Sequence, residues 1–277
     1  MAAIEERPGV VAPTAAELSR RRLRRRTRWL HPAYWLPFVL LVAVLAIAWT
    51  IGAHKAPYLF APLGTIGEVL AEEPGDFVDN TLVTLGEALA GLAIGLVVAF
   101  VLAVAVSELV LVRRAVMPVA VVLSVTPLVA IAPLLVVALG FGPGPKIVLT
   151  TLVCFFPVLI NLATGLRTVP APVLAVYRTV AASRREVLWH LRVPASLPYL
   201  CAALRIVFPL SLIGAVVAEL SSAGSAKGLG SLISVASSQN RLATVWAAIL
   251  VLAVLGSIMF WLVTLLERRV LRWRASS

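Results

Sequence analysis

The chain alternates between long apolar runs and short polar interruptions. Six runs, at about residues 33–53, 82–106, 116–139, 147–166, 199–220 and 243–266, are continuous and rich in Ala, Leu and Val. Each approaches the roughly 20 residues that an α-helix needs to cross about 30 Å of hydrocarbon. A membrane β-barrel would instead show alternating segments of about 10 residues. The pattern therefore predicts an all-α integral membrane protein with six transmembrane helices, without internal repeats or a separate soluble domain.

The interruption at 168–197 is too patterned to be a bare connector. Pro170 and Pro172 suit a helix start, and Val173, Val176, Tyr177 and Val180 follow at helical spacing. Ser183 with Glu186 three residues later makes a capping box, in which hydroxyl and carboxylate satisfy free amides at a new helix start. Val187, Leu188 and Leu191 form the apolar side of that second helix, and Pro194 and Pro198 are expected to stop it before the fifth span. Two short amphipathic helices along the membrane surface are predicted, leaving Arg178, Arg184, Arg185 and Arg192 for water or a partner.

Composition agrees with the membrane reading: 61% of the 277 residues are hydrophobic and only 13% charged, with a mean hydropathy of +1.00. The formal net charge of +11 is distributed unevenly. Arginine dominates the N-terminal arm (1–32, with the run RRRLRRRTR at 20–28), the second and fourth loops (Arg113, Arg114, Arg167) and the tail. The opposite loops carry only Lys55, Lys146, Lys227 and Arg241, beside acidic Glu68, Glu72, Glu73, Asp76 and Asp79. By the positive-inside rule both termini are expected in the cytoplasm, and the basic arm reads as an orienting anchor that touches anionic membrane lipid. No aromatic-interleaved platform accompanies the charge, so no nucleic-acid partner is expected.

Chemistry-bearing motifs are absent. No phosphate loop, GxSxG elbow or HExxH helix occurs, so no catalytic residue is expected and the chain is not expected to bind ATP. Cys154 and Cys201 lie in apolar runs, where a thiol acts as a small hydrophobe, and no Cys or His pair has metal-ligand spacing. Polar or helix-breaking residues inside spans are costly unless they face protein or water. Ser124, Thr126, Pro127, Pro133, Asn161 and Glu219 are thus candidates for a translocation pathway or gate, the two prolines bending the third span. Glu87 and Glu219 fall near the outer ends of their spans, where an interfacial placement is the plain alternative. Arg205 can snorkel to the cytoplasmic interface as an anchor. Small residues at Gly86, Ala88, Ala90, Gly91, Gly95 and Ala99 allow close approach of a neighbouring helix.

Several stretches together resemble the inner-membrane permease subunits of type I ABC importers, in their nitrate/sulfonate/taurine branch. They are TPLVAIAPLLVVALGFG at 126–142, FFPVLINLATGLR at 155–167, VVAEL at 216–220, GLGSLI at 228–233 and LLERRVLRW at 265–273. The family's cytoplasmic EAA loop, E-A-A-x3-G-x9-I-x-L-P, falls on 175–194. It places Ala175 at the family's Glu, Val176 and Tyr177 at its two Ala, Ala181 at its Gly, Leu191 at its Ile, and Val193–Pro194 at its L-P.

The resemblance implies a MetI-like fold at 33–277 and an ATPase-coupling loop that includes Ala175, Tyr177, Arg178, Ala181, Ala182, Ser183, Arg184, Glu186 and Pro194. It also implies two cytoplasmic ATPase subunits carrying ATP and Mg, a second permease copy, an extracytoplasmic substrate-binding protein and a bacterial inner-membrane location. The solute would be a sulfonate, taurine or nitrate-like anion, or a vitamin precursor such as a pyrimidine or riboflavin. A self-sufficient secondary transporter or channel is the alternative, against which stand the lack of paired intramembrane acids and of inverted repeats. An integral-membrane enzyme would need a His or carboxylate cluster at one depth, and the sequence presents none.

Overall fold

The computed structural model describes residues 32–222 and 227–271. The arginine run at 20–28, His31, Arg272 and Arg274 lie outside them. The chain divides after Pro62 into two units. In the first, helix α1 (Pro32–Lys55) is apolar along its length and long enough to span. The chain leaving it is folded back by Trp49, whose indole N–H donates to the Ala61 carbonyl at 3.0 Å and whose ring meets Phe60 edge-on at 5.1 Å.

The second unit is built on α3 (Pro74–Glu108), α6 (Pro143–Gly165) and α9 (Val193–Ser221), with α6 in the middle. Short α2 (Leu63–Glu72) precedes α3, α4 (Val110–Val125) and α5 (Leu128–Leu139) link it to α6, and α10 (Leu229–Ser238) and α11 (Leu242–Val270) follow α9. The α3 face toward α6 is a stripe of small residues, Gly91, Gly95, Ala99 and Ala103, spaced four apart, and the neighbouring Ala88 packs with Leu212 and Ala215 of α9 and Met259 of α11. At Gly91 an added Cβ would lie 2.5 Å from Thr150 Cβ, so only glycine permits this approach. Gly86 is on the exposed side and has no such neighbour. Leu92, Val106, Phe156, Leu159, Leu162 and Val207 fill the core between the three helices. Without a hydrophobic drive between helices in lipid, this dense small-residue packing is what holds them together.

Polarity is arranged for lipid. Val97, Val101, Leu111 and Val137 are 63–85% exposed, while Thr84, Lys146, Thr150 and Glu219 are 0% exposed. Among the described residues five helices are long and apolar enough to span, and α4 with α5 counts as a sixth only if the bent pair is one span.

That pair corrects the sequence reading. The third span was expected as one helix over 116–139, bent by Pro127 and Pro133; instead it breaks at Thr126–Pro127 by 97°. A residue before proline is pushed out of the α region, and Thr126 is extended (φ −69°, ψ 131°). Pro133 lies inside α5 without interrupting it.

The second correction concerns prolines expected to stop a helix. Arg184–Val187 (α8) does not end before α9: a single π-helical turn, Leu188–Arg192, carries it into α9, giving one helix over Arg184–Ser221. Pro194 stands in the first turn of α9, directly after the widened π turn, where a missing N–H is tolerated. Pro198 is internal. The other loop helix, α7, is Ala171–Thr179. The second span also starts earlier than its apolar content suggests: α3 begins at Pro74, eight residues before the hydrophobic run, and its polar first turns become part of the site below.

Candidate functional site

Two constellations occupy opposite ends of the second unit. At the end formed by the start of α3, the start of α6 and the finish of α9, a buried polar clasp holds the segment leading into α10. Asn80, Thr84 and Glu87 recur at helical spacing along α3, Lys146 and Thr150 follow one another on α6, and Glu219 closes α9. The Thr84 hydroxyl donates to Glu219 Oε1 at 2.8 Å and accepts the Leu229 N–H at 2.8 Å. Glu219 Oε2 accepts the Gly230 N–H at 2.5 Å, and Asn80 Oδ1 accepts the Gly228 N–H at 2.6 Å.

These three amides belong to the first turn of α10 and its N-cap, where a helix has no internal partners for its donors. A carboxylate there also meets the positive end of the helix dipole. Glu219 thus caps a helix ten residues further along the chain. The glycines follow from the same geometry. Gly228 has φ +146°, a region open to glycine, and a Cβ at Gly230 would lie 2.6 Å from the Val216 carbonyl and 2.8 Å from Glu219 Cβ.

Beside this, Lys146 Nζ donates to Glu87 Oε1 at 2.9 Å and to the Lys227 carbonyl at 3.4 Å. At the rim, Lys227 Nζ meets Asp79 Oδ2 at 2.6 Å. The hydrogen bond and charge of Asp79 hold the Lys227 amine above its ordinary value, so its ammonium persists at neutral pH and is lost as pH rises through that raised value.

Neither acid faces solvent or lipid: Glu87 is 7% exposed and Glu219 is fully enclosed by protein. Nor is Lys146 a loop residue, since it sits in the first turn of α6 with its side chain inside. The other pathway candidates do not converge on the clasp. Asn161 is 15 residues beyond Lys146 on α6, about 22 Å along the axis, and its Nδ2 donates to Pro157 O at 2.8 Å. Ser124 and Thr126 lie at the α4–α5 break, donating to Val121 O and Val122 O of their own helix; Pro127 is the N-cap of α5. Arg205 pairs with Glu267 of α11 rather than standing as a lone anchor. Cys154 and Cys201 are buried and free, and no group of three metal-ligating side chains occurs among the described residues.

At the other end lies the surface lever of residues 168–197. The capping box is formed in both directions, with Ser183 N–H donating to Glu186 Oε2 at 2.7 Å and Glu186 N–H donating to Ser183 Oγ at 3.3 Å. Ala181 has φ +50°, the left-handed conformation that reverses the chain between α7 and α8. The Ala182 N–H returns to the Tyr177 carbonyl at 3.0 Å across this turn. Arg192 pairs with Glu108 at the foot of α3, and Trp189 lies 6.5 Å from the ring of Phe100, tying the lever to the bundle. Ala175, Arg178 and Arg184 are exposed, and Tyr177, Ala182 and Pro194 half-buried. Val176, Val180 and Trp189 are 62%, 71% and 57% exposed, apolar side chains left uncovered by the described residues.

Asn80, Thr84, Lys146, Gly228 and Gly230 come together as a unit only in the folded chain. The available signals were a lysine directly before an apolar run and the polar positions 80, 84 and 87 at helical spacing.

Residues 91–272 match the family of binding-protein-dependent transport system inner membrane components. The formylaminopyrimidine transport permease protein ThiX of Halalkalibacterium halodurans is 31% identical over 85% of this chain and 94% of its own length. The riboflavin transport system permease protein RibX of Chloroflexus aurantiacus is 30% identical over 92% and 96%. The taurine transport system permease protein TauC of Escherichia coli is 27% identical over 90% and 94%. Among solved structures, the MetNI methionine ABC transporter in an inward-facing conformation aligns over 72% of this chain and 99% of that one, with a TM-score of 0.62 at 18% identity, a likeness of fold.

The described residues form a multi-span helical membrane bundle, and the chain belongs to the binding-protein-dependent transport system inner membrane component family. It is a permease subunit of an ABC importer, and the reading as a self-sufficient transporter or channel gives way to it.

Proposed function

We propose that the chain forms, with a second copy of itself, the translocation pathway for a small solute in the bacterial cytoplasmic membrane, with both termini in the cytoplasm. An extracytoplasmic binding protein delivers the solute, and two cytoplasmic ATPase subunits that carry the ATP and Mg engage the lever at 168–197. The relatives bearing the names of pyrimidine, riboflavin and taurine permeases favour a sulfonate- or taurine-like anion or a heterocyclic vitamin precursor.

One observation supports the coupling role above the others. Ala181, where the family carries glycine, keeps a left-handed backbone, and it sits between an exposed apolar face and a capped helix that runs without a stop through α9. A push on this segment is transmitted along one continuous helix to Glu219 and the clasp at the far end. Translocation then alternates with closure of the two ATPase subunits, and the clasp is the element whose opening would admit solute from the outer side.

The test replaces Val176 and Val180 together by Asp, since charge on the exposed face would disrupt docking without touching the bundle. Membrane insertion should be normal, while co-purification of the ATPase subunit and ATP-driven uptake in proteoliposomes should be lost. Normal uptake would remove the coupling role from this face.

A further inference from the structure

The basic end of the second unit contains a cavity that the transport reading leaves unused. It has a volume of about 350 Å³ and lies between α3, α4 and the end of α6. It is lined by Arg113, Arg167, Thr164 and Thr168, all four exposed, and by Val106 and Met117 as an apolar wall.

Three features make this a place for a bound anion. First, among the described residues neither guanidinium has a carboxylate partner: the nearby acid Glu108 is engaged by Arg192. Two exposed cations that line one cavity without a carboxylate partner offer an anion paired charge with no competitor. Second, Arg113 stands in the first turns of α4, a helix with no acidic residue in its first turn and no side-chain N-cap. The positive end of a helix disfavours a cation and attracts an anion. Third, both threonine hydroxyl protons are committed to backbone carbonyls, Thr164 to Ile160 at 2.8 Å and Thr168 to Gly165 at 2.7 Å. Their oxygens are left as acceptors, which suits hydroxyl donors next to the anion.

We propose that this cavity binds a phosphate-type oxyanion carrying neighbouring hydroxyl groups, the chemistry of a phosphatidylglycerol headgroup. The arginine fork supplies planar N–H donors matched to phosphate oxygens, the threonine oxygens receive headgroup hydroxyls, and Val106 and Met117 accompany the start of an acyl chain. Basic pockets between transmembrane helices on the cytoplasmic side hold anionic headgroups for the same reasons. The site joins the start of α4 to the end of α6 at the foot of the lever. Its occupancy would therefore stiffen the α3–α4 corner against which the lever turns.

The test uses the full chain in a neutral detergent, with bound lipid counted by native mass spectrometry during titration with phosphatidylglycerol, phosphatidylcholine or inorganic phosphate. The wild type should retain one phosphatidylglycerol in preference to phosphatidylcholine. The double variant Arg113→Gln/Arg167→Gln should bind it about thirtyfold more weakly, as expected for removal of two basic groups near a headgroup. Arg268→Gln/Arg269→Gln removes the same charge from the tail of α11 and should leave retention unchanged. Competition by inorganic phosphate at concentrations similar to the lipid, lost in the first variant, assigns the same oxyanion chemistry to a soluble source. Equal retention by wild type and Arg113→Gln/Arg167→Gln overturns the site, as does an equal loss in the tail variant. An unchanged thermal unfolding midpoint shows that the first variant is folded.

Discussion

Removing the Glu219 side chain isolates the clasp more cleanly than any other change, because its two carboxylate oxygens have separate partners on separate elements. In Glu219→Ala the Thr84 hydroxyl and the Gly230 N–H, at 2.8 and 2.5 Å in the native protein, lose a charged acceptor inside a fully enclosed site. A hydrogen bond to a charged group contributes about 1.5–3 kcal/mol, so the segment from 227 into α10 should be destabilised locally by about 3–6 kcal/mol. Since 1.4 kcal/mol is a factor of ten, local opening should become at least about 100-fold more frequent. Glu219→Gln is the graded control. Its Oε1 can accept from Gly230 while its Nε2 donates to Thr84 Oγ1, so the loss should be about 1–2 kcal/mol, from charge assistance alone. Amide hydrogen exchange in lipid nanodiscs reads this directly, at residues 228–232, with α6 amides as an internal reference. Uptake should fall in the same order, Ala below Gln below wild type. Exchange in Glu219→Ala within about threefold of wild type would refute the capping argument, because local protection tracks the free energy of local opening.

Lys146→Met leaves Glu87 buried without its ammonium and should cost about 3–5 kcal/mol, whereas Lys146→Met/Glu87→Leu should recover most of it; thermal unfolding of the two variants checks the pair, and equal destabilisation would show that it carries no coupling. Ala181→Gly should stabilise the α7–α8 turn by about 1 kcal/mol, because an L-residue pays that much for the left-handed conformation, while Ala181→Val should destabilise it. Slower and faster amide exchange at 178–186 are the respective readouts, and the same sign for both would contradict the observed φ of +50° as the cause. Single cysteines at positions 72 and 227, in a background with Cys154 and Cys201 replaced, should react from outside the cell, and one at position 184 only from the cytoplasm. Outside labelling at 184 would reverse the orientation.

The apolar runs determine where helices cross the membrane, because each must satisfy its own backbone in hydrocarbon. They therefore locate α1, α3, α6, α9 and α11 within a few residues of their observed cores. The Ser183–Glu186 cap was legible for a similar reason: it is local, four residues acting on one another. Longer-range outcomes were not legible. Proline marks a place where a helix loses a hydrogen bond, but surrounding packing decides the response. Pro127 breaks its span by 97°, Pro133 and Pro198 do not, and Pro194 is absorbed behind a π turn. Glu219 and Lys146 carry no local sign of burial, because the groups that make burial tolerable lie far away in sequence. Thr84 is 135 residues from Glu219, and Glu87 is 59 from Lys146. Only when α3, α6 and α9 close on their small-residue faces do these partners meet. A charged side chain near the end of a span does not show in the sequence whether protein or water surrounds it. The hydrophobic pattern alone thus determined the membrane-spanning architecture, whereas the clasp and the uninterrupted lever were decided by packing between distant segments.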